Sequence, residues 1–401
     1  MNGKLFPSKK NTVLNILMVT GIYHPEVSGA ANQCRQLVNA LKEKVSFTVL
    51  TTTRNPNLSQ QDQVDGVDVF KVLLRQENVG SYFNAILEFT TFFLSQRRHF
   101  QIVHLHGFSL KSTLLVLLSS IFRKKVVIKM TSIGHDDPIS CRKRGFAINY
   151  FFSKADVYVG VSPQFKYLYH KAGLPSNRFK LISNGVDTNR FSPVTEGEKT
   201  KLRVQLGLPK KMKLILFVGH FSKEKSPNIL LEGWMQHVAE KFPDTGIIYI
   251  GSNNLDHYEV DADLVRDMQK ITESYLNKRV FFIERTHEIE KYFQAVDMFV
   301  LPSLREGLPN ALLEAMACGL PVITSRLEGV TDWIVEDGKN GLLLKSVIED
   351  DLGKALISML KDEIQAHLLG LKARETVLER FSMEKVAEEY LELYRRLTPL
   401  A

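Results

Sequence analysis

The 401-residue chain carries only three cysteines, Cys34, Cys141 and Cys318, and no two are close in sequence. That scarcity excludes a disulfide framework and a paired-thiolate metal site, and it points to a reducing cytoplasm. Long apolar runs are missing as well. The longest, Leu114 to Phe122, falls well short of the ~20 residues that a membrane span requires. The early run Val13 to Val19 is interrupted by Asn15 and leads into Gly21-Ile22-Tyr23-His24-Pro25, not a small-residue cleavage site. No signal peptide is therefore expected, and the chain reads as soluble or membrane-peripheral. Residues 1–11, polar and lysine-containing, are expected to fray. No period of about 20–50 residues repeats, and nothing is low-complexity.

Acidic residues are scarce in one half only. Residues 1–200 hold 26 Lys and Arg against 13 Asp and Glu, whereas residues 201–401 hold 26 against 31. The net charge of +8 thus conceals a basic first half and an acidic second. Only the first half suits an anionic partner. Between Lys111 and Lys154, nine Lys or Arg residues interleave with Phe122, Phe146, Tyr150, Phe151 and Phe152. Two readings stay open there: peripheral contact with an anionic membrane, or a solvated face over core aromatics. Nucleic acid is a poorer partner, since no recognition module is visible.

At this length two domains are the default. What the chain does have is alternation. Strand-like runs near 14–20, 46–52, 68–73, 102–106, 126–130, 157–161 and 180–183 alternate with helical segments at 30–44, 83–96, 110–122, 143–153 and 163–171. The pattern then restarts, with a strand at 214–218, a loop at 219–227, a helix at 228–241 and strands at 246–250, 280–283, 298–301 and 322–324. Such alternation argues for parallel, doubly wound sheets. The polar segment 191–201 reads as linker. The expected domains are 1–205 and 206–382. An amphipathic last helix, 383–401, with Val386, Tyr390, Leu393 and Leu397 on one stripe, is expected to rejoin the first.

The densest chemistry lies in Glu306-Gly307-Leu308-Pro309-Asn310-Ala311-Leu312-Leu313-Glu314. A strand, a glycine-containing loop and a helix start make a phosphate-binding unit. Pro309 suits the first helical turn, where a missing N–H costs nothing. The N–H groups of Gly307, Leu308 and that turn could hold a diphosphate. Glu306 could accept hydroxyls of a sugar, and Glu314 the two hydroxyls of a ribose. A nucleotide-sugar fits this combination, while a loop charge and a solvated helix residue are the plainer alternative. The loop from Gly219 through His220 to Lys225 follows a strand, and Lys225 or Lys223 could stabilise a departing diphosphate. Arg285 and Thr286 could face the base.

In the first half, Gly29 would let a ligand approach the backbone. His104 and His106 point the same way at a strand end, and His106 is a candidate substrate contact; a hydrogen-bonded core histidine is the alternative. Gly134, His135 and Asp136 suit an acceptor loop. Asn184-Gly185-Val186-Asp187 is a turn signal. Asp261-Ala262-Asp263 has a metal-like spacing, but a solvated helix start is the better reading.

Together these motifs resemble the retaining glycosyltransferases of family 4, which have the GT-B fold. The likeness rests on Gly29, Ile102-Val-His-Leu-His-Gly107, Ile182-Ser-Asn-Gly-Val-Asp-Thr-Asn-Arg-Phe191, Phe217-Val-Gly219, Val300-Leu-Pro-Ser-Leu-Arg-Glu-Gly307, Asn310 to Val322 and Asn340-Gly-Leu-Leu343. It implies an α/β chain of two Rossmann-like doubly wound domains facing across a cleft. The second would hold a UDP- or GDP-linked sugar, and the first a glycan or lipid-linked acceptor. Hexosyl transfer would proceed without a metal or other cofactor. It implies that Glu306 contacts the donor sugar, Glu314 the ribose, Gly307 and Leu308 the sugar or phosphate, Lys225 the phosphate, and His106 the reacting centre. Three positions depart from the family pattern. His220 replaces an arginine, Ser28 a first-loop glycine and Ser226 the glycine after the lysine. Lys223 or Arg305 could supply the missing cation. A binding or scaffold protein that has lost turnover is the alternative.

Overall fold

The computed structural model describes residues 14–26, 28–74, 79–251, 260–273, 275 and 278–398. The segment 1–11, expected to fray, lies outside the described residues. The chain forms two compact units. One comprises 1–159, 169–180 and 387–401, and the other 160–168 and 181–386.

The sheet of the first unit contains β1 (Leu14–Val19), β2 (Val45–Thr53), β3 (Gln61–Val64), β4 (Val67–Leu73), β5 (Ile102–His106), β6 (Lys125–Met130), β7 (Val157–Gly160) and β8 (Phe179–Leu181). Its order is β3-β4-β2-β1-β5-β6-β7-β8. Strands β1, β2, β4, β5 and β6 run parallel, and β3 is antiparallel to β4. The central strands are buried along nearly their whole length, as parallel strands covered on both faces must be. The helix Gly29–Leu41 shows how the sequence covers them. Ser28 caps it by accepting from the Ala31 amide, and Ala31, Cys34, Leu37, Val38 and Leu41 form its buried stripe.

The second unit contains β9 (Lys213–Val218), β10 (Thr245–Ile250), β11 (Val280–Ile283), β12 (Met298–Leu301), β13 (Val322–Ser325) and β14 (Leu342–Leu344). Their order is β11-β10-β9-β12-β13-β14, all parallel.

Several elements differ from expectation. The segment read as linker continues into a helix, Glu196–Gln205, nucleated by a reciprocal cap between Thr195 and Glu198. Residues 181–205 belong to the second unit, so the first does not extend to 205. The reason is a buried polar hub. Asp297, just before β12, accepts from Arg203 Nη2 at 2.6 Å, Lys199 Nζ at 2.7 Å and the Leu214 amide at 2.7 Å. Burial opposes the Asp297 charge, but Lys199 and Arg203 outweigh it and hold the carboxyl below the usual range. The helix expected over 143–153 is two, Pro138–Lys143 and Phe146–Phe152, parted at Gly145, whose φ of 114° favours glycine. Strands β3 and β14 were not anticipated. The last helix, Met383–Leu397, gives residues from Ala387 onward to the first unit. Asp261 caps the helix Ala262–Ile271 by accepting from the Asp263 and Leu264 amides, as a helix start should.

The basic segment is also redistributed. Lys129 and Phe152 are buried. Lys111 is half-buried and donates to the Thr20 carbonyl at 2.6 Å. Lys129 and Phe152 thus belong to the interior, not to a surface patch.

Replacing Asp297 with Ala leaves the buried Arg203 and the largely buried Lys199 without their carboxylate. The expected loss is about 3–5 kcal/mol at neutral pH, read as a lower denaturation midpoint.

Candidate functional site

In both sheets the strand order reverses beside the first strand, between β1 and β5 in one and between β9 and β12 in the other. Loops leaving the carboxyl ends of strands at such a reversal form the binding crevice of open α/β sheets.

In the second unit those loops are 219–226, after β9, and 302–309, after β12. Three contacts bind them together. The Leu304 amide donates to the Glu224 carbonyl at 2.7 Å. Arg305 Nη2 lies 2.6 Å from Glu224 Oε1. Lys225 Nζ donates to Glu306 Oε1 at 2.6 Å. The Glu306 side chain is only 7% exposed, so water screens this pair weakly. The two residues singled out separately in the sequence thus act as one unit. Ser226, next to Lys225, has φ 49° and ψ 47°, in the left-handed region. This explains why glycine suits the position; here the Ser226 hydroxyl donates to the Lys223 carbonyl at 2.8 Å. Gly219 sits so close to the end of β10 that a Cβ on Gly251 would lie 1.8 Å from the Gly219 carbonyl oxygen. Gly251 was not singled out, and it can only be glycine.

The helix after the second loop begins at Asn310, one residue later than expected, with Pro309 at its cap. Pro309 therefore closes the loop, and the free first-turn amides start at Asn310. No described group accepts from the amides of Gly307 or Leu308. Asn184 steadies this turn by donating from Nδ2 to Asn310 Oδ1 at 2.8 Å and the Leu308 carbonyl at 3.3 Å. Sequence reasoning saw Asn184 only as part of a turn. One helical turn further, Glu314 is half-buried, and no described side chain donates to it. Burial raises its carboxyl to about 7, with Arg190 lowering it and Glu290 raising it. Arg190 is itself held by Glu290 at 2.6 Å and by the His287 carbonyl.

The cation beside His220 is neither Lys223 nor Arg305. Lys223 lies 3.5 Å from Asp261, and Arg305 is paired with Glu224. Instead Arg285 places Nη2 at 3.1 and 3.2 Å from the two ring nitrogens of His220. Thr286 accepts from the Glu288 amide and shapes that turn.

In the first unit, His106 ends β5 and is 6% exposed. Neither of its ring nitrogens has a hydrogen-bond partner among the described residues. Its ring centroid lies 4.6 Å from that of His104, the planes tilted by 40°, and His104 Nδ1 lies 2.7 Å from the Tyr394 hydroxyl. Burial, then His104, then Lys129 hold His106 well below the ordinary histidine range, so it is neutral near pH 7. Gly29 is the first residue of its helix. Gly134 and His135 lie in the loop after β6, where the Gly134 amide donates to Asp137. Asp136 turns inward instead of toward a ligand. Both its oxygens are taken by the Thr131 and Ser132 amides and the Thr131 hydroxyl, and burial raises it to about 6. It organises its own loop.

Comparison with known proteins gives the following. The family model "Glycosyl transferases group 1" matches residues 198–376, and "Glycosyltransferase Family 4" matches 27–190. The chain is 28% identical over 235 residues to alpha-maltose-1-phosphate synthase of Mycolicibacterium smegmatis, covering 56% of this chain and 58% of the relative. It thus spans little more than half the length of that relative. It is 23% identical to N-acetyl-alpha-D-glucosaminyl L-malate synthase of Bacillus anthracis over 75% of this chain and 76% of the relative. The crystal structure of Anabaena HepE in complex with UDP-glucose superposes with a TM-score of 0.77 at 18% identity, over 96% of this chain and 100% of that one. The last likeness establishes the fold.

Glu314 yields a test independent of any ligand. Its carboxyl, raised above the ordinary value in the folded chain, carries no penalty below pH ~4.5, where folded and unfolded forms are both protonated. The penalty grows as pH rises from ~4.5, where the unfolded form ionises, and is complete above about 7, where the folded group has ionised too. Glu314→Gln should therefore gain stability at pH 8 and none at pH 4.5. The ceiling is about 3 kcal/mol, reduced by the part of the carboxylate that reaches water. Urea denaturation at the two pH values measures the difference.

Proposed function

We propose a specific activity for this chain, which belongs to the group 1, family 4 glycosyltransferases: it is a retaining enzyme that transfers a hexosyl group from a UDP- or GDP-linked sugar to a hydroxyl of a glycan or lipid-linked acceptor. The observation that carries the reading is the part-buried Lys225–Glu306 pair, which joins the two loops at the reversal of the second sheet. Its neighbours supply a complete donor inventory. Lys225 and the helix amides from Asn310 would take the diphosphate. The remaining Glu306 oxygen would accept a sugar hydroxyl, and Glu314 the ribose hydroxyls. Arg285 beside His220 would supply the cation that the family places at residue 220.

In this mechanism the bond from the anomeric carbon to the diphosphate oxygen breaks through an oxocarbenium-like state. The acceptor oxygen bonds to the same face, and its proton passes to the departing phosphate. Lys225 and the helix N-terminus stabilise the charge that grows on the leaving group, so no metal is required. Glu306 is committed to Lys225 and does not serve as an acid/base partner of Glu314. In the first unit the nitrogens of neutral His106, without a hydrogen-bond partner among the described residues, would hydrogen-bond the acceptor hydroxyl. The basic charge of the first half favours an anionic, lipid-linked or envelope-glycan acceptor, used at the inner face of the membrane.

A thermal-shift screen of UDP- and GDP-sugars, followed by transfer or donor-hydrolysis assays, tests the reading. One or more donors should stabilise the parent chain and be turned over. Lys225→Ala should lower turnover by roughly 10²–10³-fold, as for other groups facing a developing charge, with the circular dichroism spectrum unchanged. Full activity in Lys225→Ala and Glu306→Ala would exclude this site. Donor binding without turnover would instead favour a sugar-nucleotide-binding protein, the reading to which His220 alone points.

A further inference from the structure

Three helices of the first unit have an outer face that the sheet does not explain. Val79–Gln96 packs beside Leu110–Ile121, which packs beside Phe146–Phe152. The inner faces are ordinary: Ala85, Phe89, Phe93, Leu115 and Val116 are buried. The outer faces of such helices are normally polar. Here Phe83, Ile86 and Leu87 of the first helix, Leu117 and Ile121 of the second and Phe146 of the third are all exposed. Phe83 is 69% exposed and Phe146 84%, so these are not the edges of a core. Single exposed apolar side chains are common, but a series across three neighbouring helices marks an interaction surface.

Charge identifies the partner. The three helices carry one carboxylate between them, Glu88. Cations cluster where they end or begin: Arg97 and Arg98 after the first, Arg123 to Lys125 after the second, Arg142 to Arg144 before the third and Lys154 after it. Some are engaged internally, since Lys125 pairs with Asp156 and Arg144 donates to the Phe108 carbonyl. Arg98, Arg123, Lys143 and Lys154 are exposed. An apolar centre bordered by cations is complementary to acyl chains beneath anionic headgroups. A second copy of this chain would bring the same cations against each other. Among the described residues no helix is long and apolar enough to cross a membrane, so the face would lie on the bilayer.

We propose that the outer face of these three helices docks this chain onto an anionic lipid bilayer. The inference stands apart from the site assignment, because none of its residues belongs to the donor or acceptor contacts. It is tested by sedimenting the full chain with phosphatidylglycerol–phosphatidylcholine vesicles and with phosphatidylcholine alone. The parent should bind the anionic vesicles, less tightly as salt rises, and bind the neutral ones weakly. Neutralising three cations in Arg98→Gln/Arg123→Gln/Lys143→Gln should weaken binding by roughly 100-fold, at ~1 kcal/mol per cation. Phe83→Ser/Ile86→Ser/Leu87→Ser should weaken it at least about tenfold, with unchanged melting and unchanged donor binding. Failure of the parent to bind anionic vesicles would overturn the proposal. So would parent-like vesicle binding by the apolar triple variant. A dimer in gel filtration that this variant dissolves, without vesicle binding by the parent, would reassign the face to a second copy.

Discussion

Asp297 determines where the second sheet begins, and the loops leaving its far edge at the strand-order reversal inherit that position. Strand β9 is apolar and buried from Leu214 to Phe217, with no alternation between faces. A strand buried on both sides gains no register from hydrophobic contrast, because a one-residue slip exchanges one apolar face for another. The missing specification is polar. Asp297 accepts from the Leu214 amide while binding Arg203 and Lys199, and Met298 then pairs with Ile215 and Phe299 with Leu216. With that register set at the entry to β9 and β12, the loops leaving their far ends emerge side by side. Lys225 then reaches Glu306 without further adjustment. An ion pair at the base of the sheet thus positions a second one at its top.

Other residues at the strand-order reversals conflict with local rules and cost stability. Ser226 adopts a left-handed conformation that glycine would hold more easily. Glu314 is a carboxyl held in surroundings that disfavour its charge. His106 keeps both ring nitrogens buried and, among the described residues, unpartnered. Each conflicts with a local rule that the surrounding sheets obey, and all three sit on or beside the loops at a strand-order reversal. Concentrated violations of this kind are expected where a ligand completes the structure. Asp136 is the instructive contrast. It is buried and raised as well, yet its oxygens are fully used by its own loop, so it has nothing left for a ligand.

That contrast shows what was legible in the residues alone. The alternation of strands and helices was plain, because buried parallel strands and capped amphipathic helices leave strong periodic marks. Glu306, Glu314 and Lys225 were legible as types at the right places. Their pairing was not, since Lys225 and Glu306 lie 81 residues apart and only the β9–β12 adjacency joins them. Asn184 looked like half of a tight turn, and its reach to Asn310 required the same tertiary step. The helix Glu196–Gln205 was missed because it has low hydrophobicity throughout, and its polar residues resembled a linker until Arg203 and Lys199 were seen to serve Asp297. Gly251 gives no sign in sequence at all, because its constraint comes from the backbone of Gly219.

The exposed face proposed to dock on a bilayer follows the same logic in reverse. Its cations were visible at once, because charge is a property of the residue. Its apolar centre was not, because an exposed Leu117 and a buried Leu118 are the same letter one position apart. The sequence even placed the emphasis wrongly: Lys129 and Phe152 seemed part of the patch and are interior, whereas Phe83, Ile86 and Leu87 lie outside the basic segment and are exposed. Burial of Lys129 weakens the charge argument by one residue, and the exposed apolar face strengthens the case by a second, independent kind of attraction. A purely basic patch would suit any polyanion. A basic border around an apolar centre suits a surface that offers both anions and hydrocarbon, which narrows the chemistry to a bilayer.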